Sequence, residues 1–155
     1  KENISRFARP ATAEEAKLID EAVIAAATEA GVHELILQLP GAYETRLGLM
    51  GAGLSLGQAQ RIALARALYG APAVLVLDEP NAFLDNAGET ALIGALTRAR
   101  ARNATVIVIA HRRSVVEAAD DLLVLEDGRP TMMGPSAAIV RRLAGPQKSK
   151  AENAA

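Results

Sequence analysis

The run Val74-Leu75-Val76-Leu77, followed at once by Asp78-Glu79-Pro80, constrains this chain more than any other stretch. A continuous apolar run with β-branched residues is expected for a strand covered on both faces, as in a parallel sheet. A second such run, Thr105-Val106-Ile107-Val108-Ile109-Ala110, predicts another buried strand. Between them residues 87–102 carry Leu92, Leu96 and Ala99 at helical spacing, with Arg98, Arg100 and Arg102 mostly on the other side. Strand, helix and strand in that order predict an α/β fold with parallel strands and right-handed crossovers.

The flanking segments read differently. Residues 13–31 predict a helix: Thr12 can cap it, Glu15 sits where a capping box needs it, and Gly31 ends it. Leu35-Ile36-Leu37 is a short apolar turn leading to the breaker Pro40-Gly41. Residues 41–53, with glycines at 41, 48, 51 and 53, predict a loop. A helix is expected over 56–69, closed by Gly70 and Pro72. Further on, residues 113–119 predict a short helix and 121–126 a third strand. A turn is expected at Asp127-Gly128, then a last helix over 136–144 and a polar, flexible tail over 145–155. There is no internal repeat.

Composition excludes several classes of function. The 155 residues suffice for one domain, with half of them apolar. A formal charge of −1 implies no polyanion-binding patch by net balance, and 3% aromatic residues argue against a base-stacking platform, so no nucleic-acid partner is expected. Without cysteine there is no disulfide framework and no thiolate metal site. The longest apolar runs fall far short of the roughly 20 residues of a membrane span. Lys1-Glu2-Asn3-Ile4 reads like the middle of a longer sequence, so the chain is expected to be a fragment.

Two stretches carry chemistry. Asp78 and Glu79 end a buried strand, which sets them at the carboxyl edge of the sheet, where ligands bind in open α/β folds. Adjacent anions are costly unless a cation or hydrogen bonds hold them. Asp78 would serve Mg²⁺ and Glu79 would orient or deprotonate a water; solvated acids at a strand end are the plain alternative. Leu54-Ser55-Leu56-Gly57-Gln58 opens a helix, where the Ser55 hydroxyl and free N–H groups make an anion site. Gly57 would let the backbone approach a phosphate. Here the plain alternative is a serine-capped helix. His111, at the end of the second strand, could equally be a half-buried, hydrogen-bonded residue. His33, near a helix end, reads as structural. Arg61 and Arg66 could contact anions, but salt bridges within the helical part are the expectation, with Arg112-Arg113 at a solvated helix start.

With Gln60-Arg61-Ile62-Ala63-Leu64-Ala65-Arg66-Ala67-Leu68 following Gln58, residues 1–144 resemble the C-terminal part of an ABC transporter nucleotide-binding domain. The order of signature motif, Walker B, D-loop and H-loop carries the resemblance. It implies a partial P-loop NTPase-type sheet of mostly parallel strands with helices, preceded by a helical subdomain. Residues 1–70 would be that signature subdomain, incomplete at its N-terminus, and 71–144 the Walker B, D-loop and H-loop part of the ATPase core. It further implies ATP and Mg²⁺ as cofactors, with Ser55, Gly57 and Gln58 meeting an ATP held by the opposite subunit. Asp78 would serve Mg²⁺, Glu79 would be the catalytic base, and His111 the switch histidine at the γ-phosphate. Asn81-Ala82-Phe83-Leu84-Asp85 would be the D-loop, with Asp85 across a homodimer interface.

Glu2-Asn3-Ile4-Ser5-Arg6-Phe7, Gly31-Val32-His33-Glu34-Leu35-Ile36 and Asp78-Glu79-Pro80-Asn81 are similar to the ATPases of type I secretion systems. That resemblance implies an upstream transmembrane domain and a place at the cytoplasmic face of the inner membrane. It also implies a periplasmic adaptor, an outer-membrane channel and an exported protein substrate. Some positions depart from the pattern. Leu56 stands where glycine is usual, Ala59 where arginine is frequent, and Leu49-Met50 where an acidic residue is expected. No Gly-x-x-x-x-Gly-Lys-Ser/Thr loop is present: the lysines are at 1, 17, 148 and 150, and Gly48 and Gly53 are followed by Leu54. The chain is therefore expected to begin after the phosphate-binding half, to be inactive alone, and to be marginally stable because its sheet lacks cover. A degenerate cassette that supplies its signature in trans is the alternative. A DNA-repair or chromosome-organising ATPase is disfavoured by the lack of a long heptad segment.

Overall fold

In the computed structural model, which describes residues 1–48 and 53–144, the chain falls into two units, Lys1–Ala110 and His111–Ala155. The Leu49-Met50 position and the tail over 145–155 lie outside the described residues.

The first unit begins with helix α1, Ala13–Glu29. Thr12 caps it by accepting the Glu15 N–H at 3.1 Å, while the Glu15 carboxylate turns back to the N–H of Ala11 rather than that of Thr12. Gly31 ends it in a left-handed conformation, φ 66°. A Cβ there would meet the Ala91 methyl at 2.7 Å, so the chain passes too close to its neighbour for any side chain. The stretch expected as an apolar turn is instead a short helix α2, His33–Leu37, burying Ile36. His33 is structural, its Nδ1 lying 2.8 Å from the Tyr43 hydroxyl.

Helix α3, Leu56–Leu68, packs on α1, whose Val23, Ala26 and Ala27 are buried. The chain's first residues close its far end. Arg6 donates to the carbonyls of Arg66 and Ala67, both at 3.2 Å, satisfying acceptors that a helix C-terminus leaves orphaned. Arg66 in turn donates to the Asn3 carbonyl at 2.9 Å rather than pairing with an acid.

Strands β1, Val74–Asp78, and β2, Thr105–Ile109, pair in parallel, with Val74 opposite Thr105 and Asp78 opposite Ile109. Helix α4, Asn86–Ala101, makes the crossover and packs on β2 with Leu92, Ala95, Leu96 and Ala99 buried. This is the expected parallel arrangement, with one correction. Leu75 and Leu77 are inside, but Val74 (58%), Val76 (62%), Ile107 (52%) and Ile109 (52%) are exposed, so the pair is covered on one face only. A short run of Val and Leu satisfies either face of a pleated strand, so the sequence could not reveal which face was bare.

The second unit holds helix α5 (Arg113–Glu117), strands β3 (Asp121–Glu126) and β4 (Arg129–Pro135), and helix α6 (Ser136–Leu143). The expected turn is present, with Asp127 (φ 50°) and Gly128 (φ 74°) both in the positive region that a two-residue hairpin requires. Its return strand was not foreseen, and β3 pairs antiparallel with it. Pro130 and Pro135 mask β4 in the sequence, since proline cannot donate to a ladder and is confined to strand edges. Ser136 fixes the start of α6: its N–H donates to Asp120 and its hydroxyl to Val116, both at 2.8 Å.

The alternation along β1 yields a test within two adjacent residues. Leu75→Ala should cost about 2–5 kcal/mol of stability, because it empties a filled core site. Val76→Ala should cost under about 1 kcal/mol, as a substitution on an open face. Urea midpoints of the 155-residue chain measure both; equal losses would contradict the one-sided burial.

Candidate functional site

Ser55 is the N-cap of α3 and forms a complete capping box. The Gln58 N–H donates to Ser55 Oγ at 3.2 Å, and the Ser55 N–H donates to Gln58 Oε1 at 2.9 Å. The plain serine-cap reading is thus realised, but it does not use up the site's donors. The N–H groups of Leu56 and Gly57 belong to the first turn, which has no intrahelical acceptors for them. The Ser55 hydroxyl also keeps its own hydrogen to donate. Together with the positive end of a 13-residue helix, these groups suit an anion.

They open onto a cleft of about 450 Å³ lined by Ser55, Leu56, Gly57, Gln58 and Arg61 of α3 and by Leu35, Phe83 and Asp85. Leu56, at 65% exposure, presents its side chain beside these donors. Gly57 has a second reason to be glycine besides backbone access: a Cβ there would lie 2.6 Å from the Phe83 carbonyl oxygen. The cap of α3 and the segment after β1 are therefore in direct contact.

That segment starts from the paired carboxylates. Asp78 ends β1 and is exposed; Glu79 is half buried. Glu79 takes φ 47°, a left-handed backbone that costs a non-glycine residue about 1–3 kcal/mol and persists only where the surroundings impose it. Here they do. Its N–H donates to the Ile109 carbonyl at 2.9 Å, one step beyond the β1–β2 ladder. Its carbonyl accepts from Gln60 Nε2 at 2.8 Å and from the Ala82 N–H at 3.2 Å. Asn81 follows, 1% exposed, with its side-chain oxygen lacking a hydrogen-bond partner.

Asp85 caps α4. Its carboxylate accepts the Gly88 N–H at 2.8 Å and pairs with Arg61. The Gly88 N–H first, and the Arg61 guanidinium second, hold the Asp85 carboxyl below its usual range. Arg61 was expected to pair within the helical part; instead it crosses to this segment. The short 79–88 connection brings Asp85 within reach, and Gly88 leaves room, since a Cβ there would lie 2.8 Å from Arg61 Nε.

Of the residues singled out in the sequence, Ser55, Gly57, Gln58 and Asp85 share the cleft. Asp78 and Glu79 stand at the carboxyl edge of β1 in the same unit. His111 belongs to the second unit, exposed just ahead of α5. Among the described residues no group of three or more His, Asp or Glu is arranged to hold a metal. Mg²⁺ does not require one, since it binds through one or two carboxylates, with water and phosphate completing its shell. An exposed Asp78 at a sheet edge fits that use. Gln60 escaped the sequence reading, and Arg61 was read with the wrong partner. Their signal was two polar side chains one turn before the buried Leu64 and Ala65, on a face that should be apolar.

An anion-ready helix cap beside a strand that ends in two carboxylates defines part of an ATP-binding cassette, and the chain belongs to the ABC transporter family, whose profile matches residues 2–82. It is 46% identical over 153 residues, 99% of its length, to the type I secretion system ATP-binding protein PrsD of Rhizobium meliloti (strain 1021), covering 25% of that protein. It is 47% identical over 112 residues, 72% of its length, to an ATP-dependent lipid A-core flippase of Saccharophagus degradans, covering 19% of it. Among solved structures it resembles a bacterial Atm1-family ABC exporter with ATP bound, with a TM-score of 0.75 and 35% identity over 91% of this chain and 23% of that one. The chain thus spans a quarter or less of these relatives' lengths. No helix among the described residues is long and apolar enough to cross a membrane.

The lowered Asp85 carboxyl fixes the sign of a pH effect. A group whose pKa is depressed by folding adds stability above its unfolded value, about 3.9, and loses it as pH falls through the folded value. The native chain should therefore exceed Asp85→Asn in urea midpoint at neutral pH, with the gap closing below about pH 4. A gap unchanged across that range would mean that the ion pair and the capping charge contribute nothing.

Proposed function

We propose that this chain is part of the ATP-hydrolysing subunit of an exporter that drives protein secretion across the inner membrane, of the type I secretion class. The observation that carries this reading is the extent of the likeness. Similarity to the type I secretion protein runs through both units, over 99% of the chain, whereas that to the flippase covers 72%. The site fits the same use.

In this reading the residues divide between two nucleotides. Ser55, Gly57 and Gln58 face an ATP held by a second nucleotide-binding domain, with the Ser55 hydroxyl and the first-turn N–H groups as donors. Gln58 holds the cap of α3 in shape. Asp78 holds Mg²⁺, which when bound offsets phosphate charge. Glu79 orients and deprotonates the attacking water on the chain's own side. His111 contacts the γ-phosphate, and Asp85, fixed by Arg61 and Gly88, meets the partner domain. The partners are then a second cassette in a homodimer, the upstream transmembrane domain, a periplasmic adaptor, an outer-membrane channel and the exported protein. The site of action is the cytoplasmic face of the inner membrane. The domain division proposed is a signature part over 1–70, an ATPase-core part over 71–144 and a tail.

A second reading rests on Leu56. A large, exposed apolar side chain next to the anion donors suits a cassette that lends its signature face to an intact partner and does no chemistry itself.

Glu79→Gln in the intact protein separates the two. Loss of a general base should lower ATP turnover by roughly a hundredfold or more while ATP binding is retained. Unchanged turnover would leave only the non-catalytic cassette.

A further inference from the structure

Gln60 bridges two parts of the site that belong to different nucleotides. It stands on α3, one turn into the helix that Ser55 caps, and its amide lies against the segment from Glu79 to Phe83. Nε2 donates to the Glu79 carbonyl at 2.8 Å, and the Phe83 N–H donates to Oε1 at 3.0 Å. These partners fix the amide's orientation. Turned over, it would set donor against donor at Phe83 and acceptor against acceptor at Glu79.

We propose that Gln60 is a positioning residue for the Glu79 carboxylate, locking its left-handed backbone to the helix that carries the signature cap. The proposal rests on Glu79 acting in ATP hydrolysis. Glu79 has φ 47° and precedes proline, a place where extended backbone is favoured, so its conformation needs external support. Its N–H is held by Ile109. Its carbonyl accepts the 2.8 Å bond from Gln60 and a longer one, 3.2 Å, from the Ala82 N–H within the turn itself. Loss of the Gln60 amide removes the shorter of these two bonds and loosens the peptide between Glu79 and Pro80, which sets the direction of the Glu79 side chain.

The bridge is specific in chemistry and in length. It needs one donor and one acceptor at the end of a three-carbon reach, which glutamine alone supplies in this geometry. Glutamate has no donor when ionised, methionine has neither group, and asparagine is one methylene short. The Phe83 carbonyl packs where a Gly57 Cβ would be, so the segment cannot move toward α3 to make up a shorter side chain. Arg61, the next residue, holds Asp85 at the other end. Movement of the signature helix would therefore be passed to Glu79 and Asp85 together.

The test uses the intact exporter with Gln60→Met, which keeps size, and Gln60→Glu, which keeps shape but removes the donor. Both should lower kcat for ATP by between roughly tenfold and a hundredfold, with KM for ATP within about twofold. Because the effect acts through Glu79, Gln60→Met should cost little further turnover in a Glu79→Gln background, measured in single-turnover assays. Wild-type kcat in both Gln60 variants, with Glu79→Gln inactive, would overturn this proposal alone. So would a loss of equal size in the Glu79→Gln background, since that marks a purely structural part. Full turnover in Glu79→Gln itself would overturn the ATPase reading and this proposal with it.

Discussion

The hydrogen-bonded contact between the first turns of α3 and the segment after β1 is the interaction on which the rest of the first unit's site depends. Its parts are mutually required. Gly57 lets the Phe83 carbonyl lie against the helix, and Gly88 lets Arg61 lie against the cap of α4. Gln60 fills the space between with an amide satisfied at both ends. Each glycine serves a close approach of something already in the chain. A methyl group at either position would push apart elements that bring the two carboxylates and the anion-ready cap into one unit.

The same contact explains how a strained residue persists at the end of β1. Parallel pairing with β2 carries one backbone bond beyond the last strand residue, to Glu79, and then the chain must turn sharply toward α4. A left-handed residue before proline is a poor local choice. It is imposed by the ladder on one side and by α3 on the other. Such local conflict between sequence preference and fold is what makes Glu79 a candidate functional position. The ion pair at Asp85 is secondary in this respect, since an exposed carboxylate held chiefly by a helix N–H contributes more to orientation than to stability.

Much of the fold was legible. The two apolar runs separated by an amphipathic segment led to β1, α4 and β2 in parallel, and Thr12 and Ser55 marked two helix starts. What failed did so for identifiable reasons. The 129–135 strand carries two prolines and no alternation, so nothing local announced it. The 35–37 stretch was too short to separate a turn from a single helical turn. The bare face of the β1–β2 pair could not be read, because valine and isoleucine are chosen for pleat and packing alike. At the site, Ser55, Gly57, Asp78, Glu79 and Asp85 stood out by motif, while Gln60 looked like an ordinary polar position of a helix and Arg61 like a salt-bridge partner within the helical part.

The sequence by itself determined the family, the order of the motifs and the identity of the groups that can carry charge, because these depend on which residues follow which. Tertiary structure alone decided what those groups touch. The partners of Gln60 lie 19 and 23 residues away, and that of Arg61 lies 24 away. No local propensity encodes such distances; they are set by how α3 settles on the turn after β1. The serine cap of α3 closes within four residues and was legible in advance. The bond to Glu79 required the fold.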